Sequence, residues 1–155
     1  MRNIAITTDM AADMPEGFFA AHGVEVLPMP FTLDGKDHFD GELPTYHEFY
    51  DKLRAGAVAS TSQTSSYAAI HTFERLLKEG CDILHISFSS GMSGSAAGVS
   101  AAAKELTMKY RDGSIRVVDS LSGCGGQGLM VHDALKMRDA GMTLDALADK
   151  LEADR

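Results

Sequence analysis

Two hydrophobic rhythms alternate along this chain. Short apolar runs bounded by turn residues recur, and between them apolar residues return every three or four positions. Asn3 to Thr8, rich in Ile and Thr, reads as a buried strand. Pro15 suits the first turn of a helix running to about His22, which Gly23 stops. Val24 to Met29 reads as a second strand, and Asp34-Gly35, between Phe31-Thr32-Leu33 and Lys36 to Phe39, predicts a tight hairpin. Thr45 to Glu48 has the spacing of a capping box, opening a helix expected to bury Phe49, Tyr50 and Leu53 and to end at Gly56. After a polar stretch from Ser60 to Ser66, a helix places Ala69, Ile70, Phe73, Leu76 and Leu77 on one face and closes at Gly80. Ile83 to Ser87 reads as a strand, then comes the loop Ser89 to Ser95 and an Ala-rich helix to about Tyr110. Ile115 to Val118 is the last strand. A Gly/Ser loop, Asp119 to Gly126, leads to helices from about Gln127 to Asp139 and from Thr143 onward.

Strands alternating with helices predict an α/β fold of three layers, a mainly parallel Rossmann-like sheet with helices on both faces. In such sheets ligands bind outside the carboxyl ends of the strands. That rule selects Thr7-Thr8-Asp9, Ser60 to Ser66, Ser87 to Ser95 and Asp119 to Gly128, the segments richest in hydroxyls and glycine.

The length of 155 residues suits one domain, and 45% hydrophobic with 23% charged residues is ordinary for a globule. A formal charge of −8 argues against a nucleic-acid surface and against docking on an anionic membrane. No apolar stretch is long enough for stable membrane insertion, and Asp9 and Asp13 interrupt the early apolar run, so no signal peptide is read. With Cys81 and Cys124 giving no disulfide framework, the expectation is a cytoplasmic protein.

Hydroxyl side chains at helix N-termini suit an anion, because free amides and the helix dipole point at it. Thr61 and Ser93 are placed to donate hydrogen bonds to a carboxylate; as residues preceding helices they equally suit capping, and spacing leaves both roles open. Asp9 and Asp119 would repel an anion unless turned toward amides, so both are read as loop-ordering caps. Gly123 to Gly128 matches G-x-G-x-x-G, which keeps a Rossmann-like nucleotide site dependent on Gly123 and Gly125 as an alternative. Gly91-Met92-Ser93-Gly94 lacks the full nucleophile-elbow spacing; a serine hydrolase or transferase would need Ser93 with Asp119 and His132. Asp37, His38 and Asp40 crowd the hairpin without the spacing of a metal site, and no metal or cofactor is expected.

The order of short motifs adds a resemblance. Thr8 to Asp13, Val26-Leu27-Pro28-Met29, Phe39-Asp40-Gly41, Glu48-Phe49-Tyr50, Thr61-Ser62-Gln63, Ser89 to Ser95 and Asp119-Ser120 occur collinearly. In that order they resemble the T-D-S-S-A-D, V-x-P-L, acidic-loop, E-F-Y, T-S-Q, S-S-x-L-S-G-T and D-S segments of the DegV family. The resemblance implies a non-catalytic, bacterial fatty-acid-binding protein that presents a long-chain fatty acid to a separate kinase subunit. It implies that residues 1–155 are the N-terminal α/β domain, with the second, lipid-tunnel domain absent from them, and that the exposed domain face favours self-association. It carries the carboxylate contacts onto Thr61 and Ser93, with Ser62, Gln63, Gly94, Ser95, Asp119, Ser120, Thr8 and Asp9 in supporting loops. Met10 and Ala11 replace hydroxyl residues of the first motif, Thr64 replaces a proline, and Ser95-Ala96 replaces Thr-Tyr.

Overall fold

The computed structural model describes residues 2–38 and 43–155. Strands β1 (Asn3–Asp9), β2 (Glu25–Leu27), β6 (Cys81–Ser87) and β7 (Ile115–Asp119) form one parallel sheet in the order β2-β1-β6-β7. Pairing in register, such as Ile6 with Leu84 and Ile86 with Val118, brings the carboxyl ends of β1, β6 and β7 to one edge. Residues alternate between the two faces of each strand. Ile6, Leu84, Ile86 and Val118 pack with α5 (Cys124–Asp139) and α6 (Leu144–Asp154), including Val131, Leu135, Leu147 and Leu151. Ile83 faces the other way, against α3 (Ser66–Lys78) and α4 (Ser95–Lys109) through Phe73, Leu76, Leu77, Val99 and Leu106. Side chains such as Phe73, Leu84 and Leu147 are fully buried, each stabilising the fold by about 1.5–3 kcal/mol of transfer free energy. The predicted three-layer α/β architecture is the one observed.

A second sheet was only half legible. β3 (Phe31–Leu33) and β4 (Lys36–His38) form the expected hairpin, and Asp34 and Gly35 take φ of 50° and 74°. Both central residues of a type I′ turn need positive φ. The third strand, β5 (Ala59–Thr61), pairs antiparallel with β3, so the stretch from Ser60 is a strand at its start and a loop only afterwards. Its residues are all exposed, and backbone pairing to Phe31–Leu33 defines it without any apolar face.

Three other expectations are corrected. The first helix is a single turn, α1 (Phe18–Ala21), because Gly17 at φ 77° breaks the backbone after Pro15. Helix α2 (Tyr46–Arg54) has the capping box, with Thr45 Oγ1 accepting from the Glu48 amide and Glu48 accepting from the Thr45 amide, but it buries no residue. Phe49 sits edge-on to Phe31 at 5.6 Å and is half-buried, as is Leu53, while Tyr50 is exposed. The apolar stripe of α2 is only partly covered by the described residues. Finally, α5 begins at Cys124, three residues before the expected Gln127.

Candidate functional site

The carboxyl edge of the parallel sheet gathers the four predicted loops, and they divide into two groups. Around the end of β1, the polar side chains are consumed in holding loops together. Asp9 is fully buried and accepts from the Phe88 amide at 2.7 Å, the Ala11 amide at 3.2 Å, Gln127 Nε2 at 3.0 Å and Ser87 Oγ at 3.5 Å. Burial pushes its carboxyl above the ordinary value, and those four hydrogen bonds oppose the rise. Thr8 Oγ1 donates to the Ile86 carbonyl at 2.8 Å and accepts from Gln127 Nε2 at 3.0 Å. Asp119 Oδ1 accepts from the Ser90 and Leu121 amides, both at 3.1 Å. Partial burial pushes that carboxyl up, but the bonds from Ser90 and Leu121 and the nearby Arg155 charge outweigh it and hold it below its ordinary value. Ser120 Oγ donates to the Ser122 carbonyl at 2.9 Å and accepts its amide at 3.1 Å. The reading of both aspartates as loop-ordering caps agrees with this geometry. Gln127, fully buried, was missed; its only sequence signal is a lone amide inside the glycine-rich start of a helix.

The second group surrounds the N-terminus of α4. Ser93 Oγ lies 2.9 Å from Ser95 Oγ and accepts the Ser95 amide at 3.2 Å. Ser95 Oγ accepts the Thr64 amide at 3.0 Å, which ties the loop after β5 to α4. The Gln63 amide group lies over Gly94, where a Cβ would meet its Nε2 at 2.5 Å. The Ser62 amide donates to the Pro30 carbonyl at 2.8 Å, anchoring the same loop to the segment before β3. Thr61 is exposed at the end of β5, and its hydroxyl bonds to no other described residue. Ser93 is half-buried. Chemically Ser93 and Ser95 are neutral hydroxyls at a helix N-terminus, suited to an anionic group, and Thr61 adds an exposed hydroxyl three residues before the Thr64 amide that ties its loop to them.

A family model described as "Uncharacterised protein, DegV family" matches residues 3–155. The chain belongs to the DegV family. It is 36% identical over 158 residues to a DegV domain-containing protein of Clostridium perfringens, covering 100% of this chain and 54% of that protein. It is 30% identical over 132 residues to a DegV domain-containing 15.5 kDa protein of Staphylococcus aureus, covering 85% of this chain and 91% of the relative. Among solved structures, a fatty-acid-binding DegV family protein of Thermus thermophilus superposes with a TM-score of 0.86 at 31% identity, over 99% of this chain and 53% of that one. A Thermotoga maritima protein described as revealing fatty-acid-binding function gives 0.84 at 27% identity, over 99% and 55%. The chain thus spans about half the length of most of the relatives it matches.

In this DegV chain the G-x-G-x-x-G segment is a packing device. A Cβ on Gly123 would meet the Phe88 ring at 2.5 Å, and one on Gly128 would strike the Asp13 carbonyl oxygen. Cys124, at φ 50°, bonds its carbonyl to the Asp13 amide and its amide to the Ala11 carbonyl, stitching α5 to the loop after β1. A hydrogen bond with Asp13 raises its thiol above the ordinary value. Among the described residues, those of the hydrolase alternative have separate neighbours: Ser93 bonds with Ser95, Asp119 accepts from amides, and His132 lies 3.4 Å from Asp133 and against the Phe18 ring. In the hairpin Asp37 accepts from Thr32 Oγ1 at 2.6 Å and His38 stacks on Phe31; Asp40, like Phe39 and Gly41, lies outside the described residues. Among the described residues no helix is long and apolar enough to cross a membrane, and no cluster of three metal-ligating side chains occurs.

Proposed function

We propose that this chain holds the carboxylate of a long-chain fatty acid at the carboxyl edge of its parallel sheet, with Thr61 and Ser93 donating hydrogen bonds. The observation that carries the reading is the hydroxyl cluster at the N-terminus of α4. Ser93 is pinned through Ser95 and Thr64, beside a loop whose Thr61 hydroxyl has no competing partner among the described residues. Two relatives of 31% and 27% identity described as fatty-acid-binding support the choice of anion.

The role is binding, without catalysis of its own, since Ser93 contacts no base. The acyl tail lies in an apolar tunnel outside these 155 residues, in a second domain that the greater length of most relatives supports. There each buried CH₂ contributes ~0.8 kcal/mol. Exposure of Thr61 leaves the head group within reach of a second protein, in keeping with presentation to a separate kinase. Tyr46, Tyr50 and Val58, all exposed, offer apolar surface for self-association. Free thiols at Cys81 and Cys124 suit the cytoplasm.

The test is mass spectrometry of organic extracts from the purified chain, from a form extended to the length of its relatives, and from Thr61→Val and Ser93→Ala variants of each. Loss of one charge-assisted hydrogen bond costs about 1.5–3 kcal/mol, so either variant of the extended form should retain roughly a tenth or less of the lipid at limiting concentration. An extended, well-folded protein that carries no fatty acid refutes the proposal.

A further inference from the structure

The Ser93 and Ser95 oxygens are 2.9 Å apart, close enough that one hydroxyl donates to the other. Each hydroxyl has one proton to give and room to accept two. Ser95 is fully buried and already accepts the Thr64 amide. If Ser93 were the donor, the Ser95 proton would need another acceptor, and no other lies within hydrogen-bonding distance among the described residues. The neighbouring Thr64 hydroxyl does not serve, being itself buried without a partner. A buried donor left unmade is costly. In the opposite sense every demand is met: Ser95 accepts from Thr64 and donates to Ser93, and Ser93 accepts from both the Ser95 amide and the Ser95 hydroxyl.

We infer that Ser95 is a positioning residue: its hydroxyl donates to Ser93, fills the second acceptor site there, and so turns the Ser93 proton outward to the loop edge. The chain of donors runs from the Thr64 amide through Ser95 and Ser93 to the bound anion, each step polarising the next. Ser93 in this arrangement can only donate, which selects an acceptor such as a carboxylate over a donating head group. The direction of the chain rests on the protein's own hydrogen bonds; its use in binding rests on the fatty-acid reading above.

Two measurements test it. The first is proton NMR of the ligand-free chain at low temperature, with slowly exchanging hydroxyl protons assigned through coupling to their own β protons. A protected hydroxyl proton on Ser95 and none on Ser93 is expected; a protected proton on Ser93, or none on either, overturns the inference. The second compares, on the extended form, palmitate with hexadecylammonium, whose head group donates and cannot accept. Ser95→Ala should cut the preference for palmitate about tenfold, the scale of one ordinary net hydrogen bond, and Ser95→Thr, which keeps the hydroxyl, should restore it. An unchanged preference in Ser95→Ala with palmitate still bound overturns the positioning role alone. A well-folded extended form that binds neither probe, with the Ser95 proton protected, counts against the fatty-acid reading and the positioning role together while leaving the hydrogen-bond direction established.

Discussion

His85 makes the protein acid-sensitive by an amount that can be worked out. It sits in the centre of the parallel sheet, fully buried, with Nδ1 2.9 Å from Thr7 Oγ1 and its ring 5.6 Å from Phe73. Its Nε2 has no hydrogen-bond partner among the described residues. Burial alone pushes its pKa down from 6.5 to about 3. The unfolded chain therefore takes up a proton near pH 6.5 that the folded chain refuses until about pH 3. The folded pKa is depressed, so the associated stability is complete above pH 6.5 and drains as pH falls. Each pH unit below that point costs about 1.4 kcal/mol, giving about 2 kcal/mol at pH 5. His85→Phe removes the titrating group and keeps an aromatic ring against Phe73. Urea unfolding of both proteins at pH 7, 6, 5 and 4 isolates the effect, because every other titrating group cancels in the difference. Wild type should lose about 2 kcal/mol more than the variant between pH 7 and 5. Parallel stability–pH curves would show that the ring is hydrated or already charged in the fold, and the reasoning would fail.

Two further substitutions probe the loop edge. Asp9→Asn keeps the shape but replaces a fully buried acceptor of four hydrogen bonds by a group that must also donate; it should cost about 2–3 kcal/mol. Chemical denaturation measures that loss, and a neutral result would mean that Asp9 is already protonated. Gly128→Ala places a methyl against the Asp13 carbonyl and 2.8 Å from the Met14 sulphur, so it should destabilise by about 1–3 kcal/mol, whereas Gly125→Ala meets nothing within 4 Å. Thermal melts should separate the two variants by several degrees; equal melting temperatures would deny Gly128 its packing role.

The parallel sheet and its main helices were legible because burial writes itself into composition. β6 is buried from Ile83 onward, and α3 buries Ala69, Phe73, Leu76 and Leu77 at helical spacing. β5 was not legible, since nothing in Ala59-Ser60-Thr61 is buried and its strand conformation comes from the partner it bonds. The stripe on α2 misled for the converse reason: periodicity reports that a helix has an apolar face, without saying whether anything covers it. At the candidate site, Thr61 and Ser93 stood out as hydroxyls in loops near the carboxyl edge of the sheet. Gln127 and Thr64 did not, because their importance lies in which atoms they meet across 119 and 31 residues of sequence.

That difference bears on how the loop edge works. By composition its loops look alike, all serine, threonine, glycine and aspartate. Their hydrogen bonds sort them. Asp9, Asp119 and Ser120 spend their capacity on amides and carbonyls of neighbouring loops, which makes this side of the edge rigid and leaves little for a ligand. Around α4 and the loop tied to it the sums leave a remainder: Thr61 has a hydroxyl with no acceptor among the described residues, and Ser93 can accept from Ser95 twice over and keep its own proton. A binding edge needs both halves. In the proposed carboxylate role, the acidic side chains that would repel the anion are consumed as loop ties, while Ser93, held through Ser95, and the exposed Thr61 offer two uncharged hydroxyls to it.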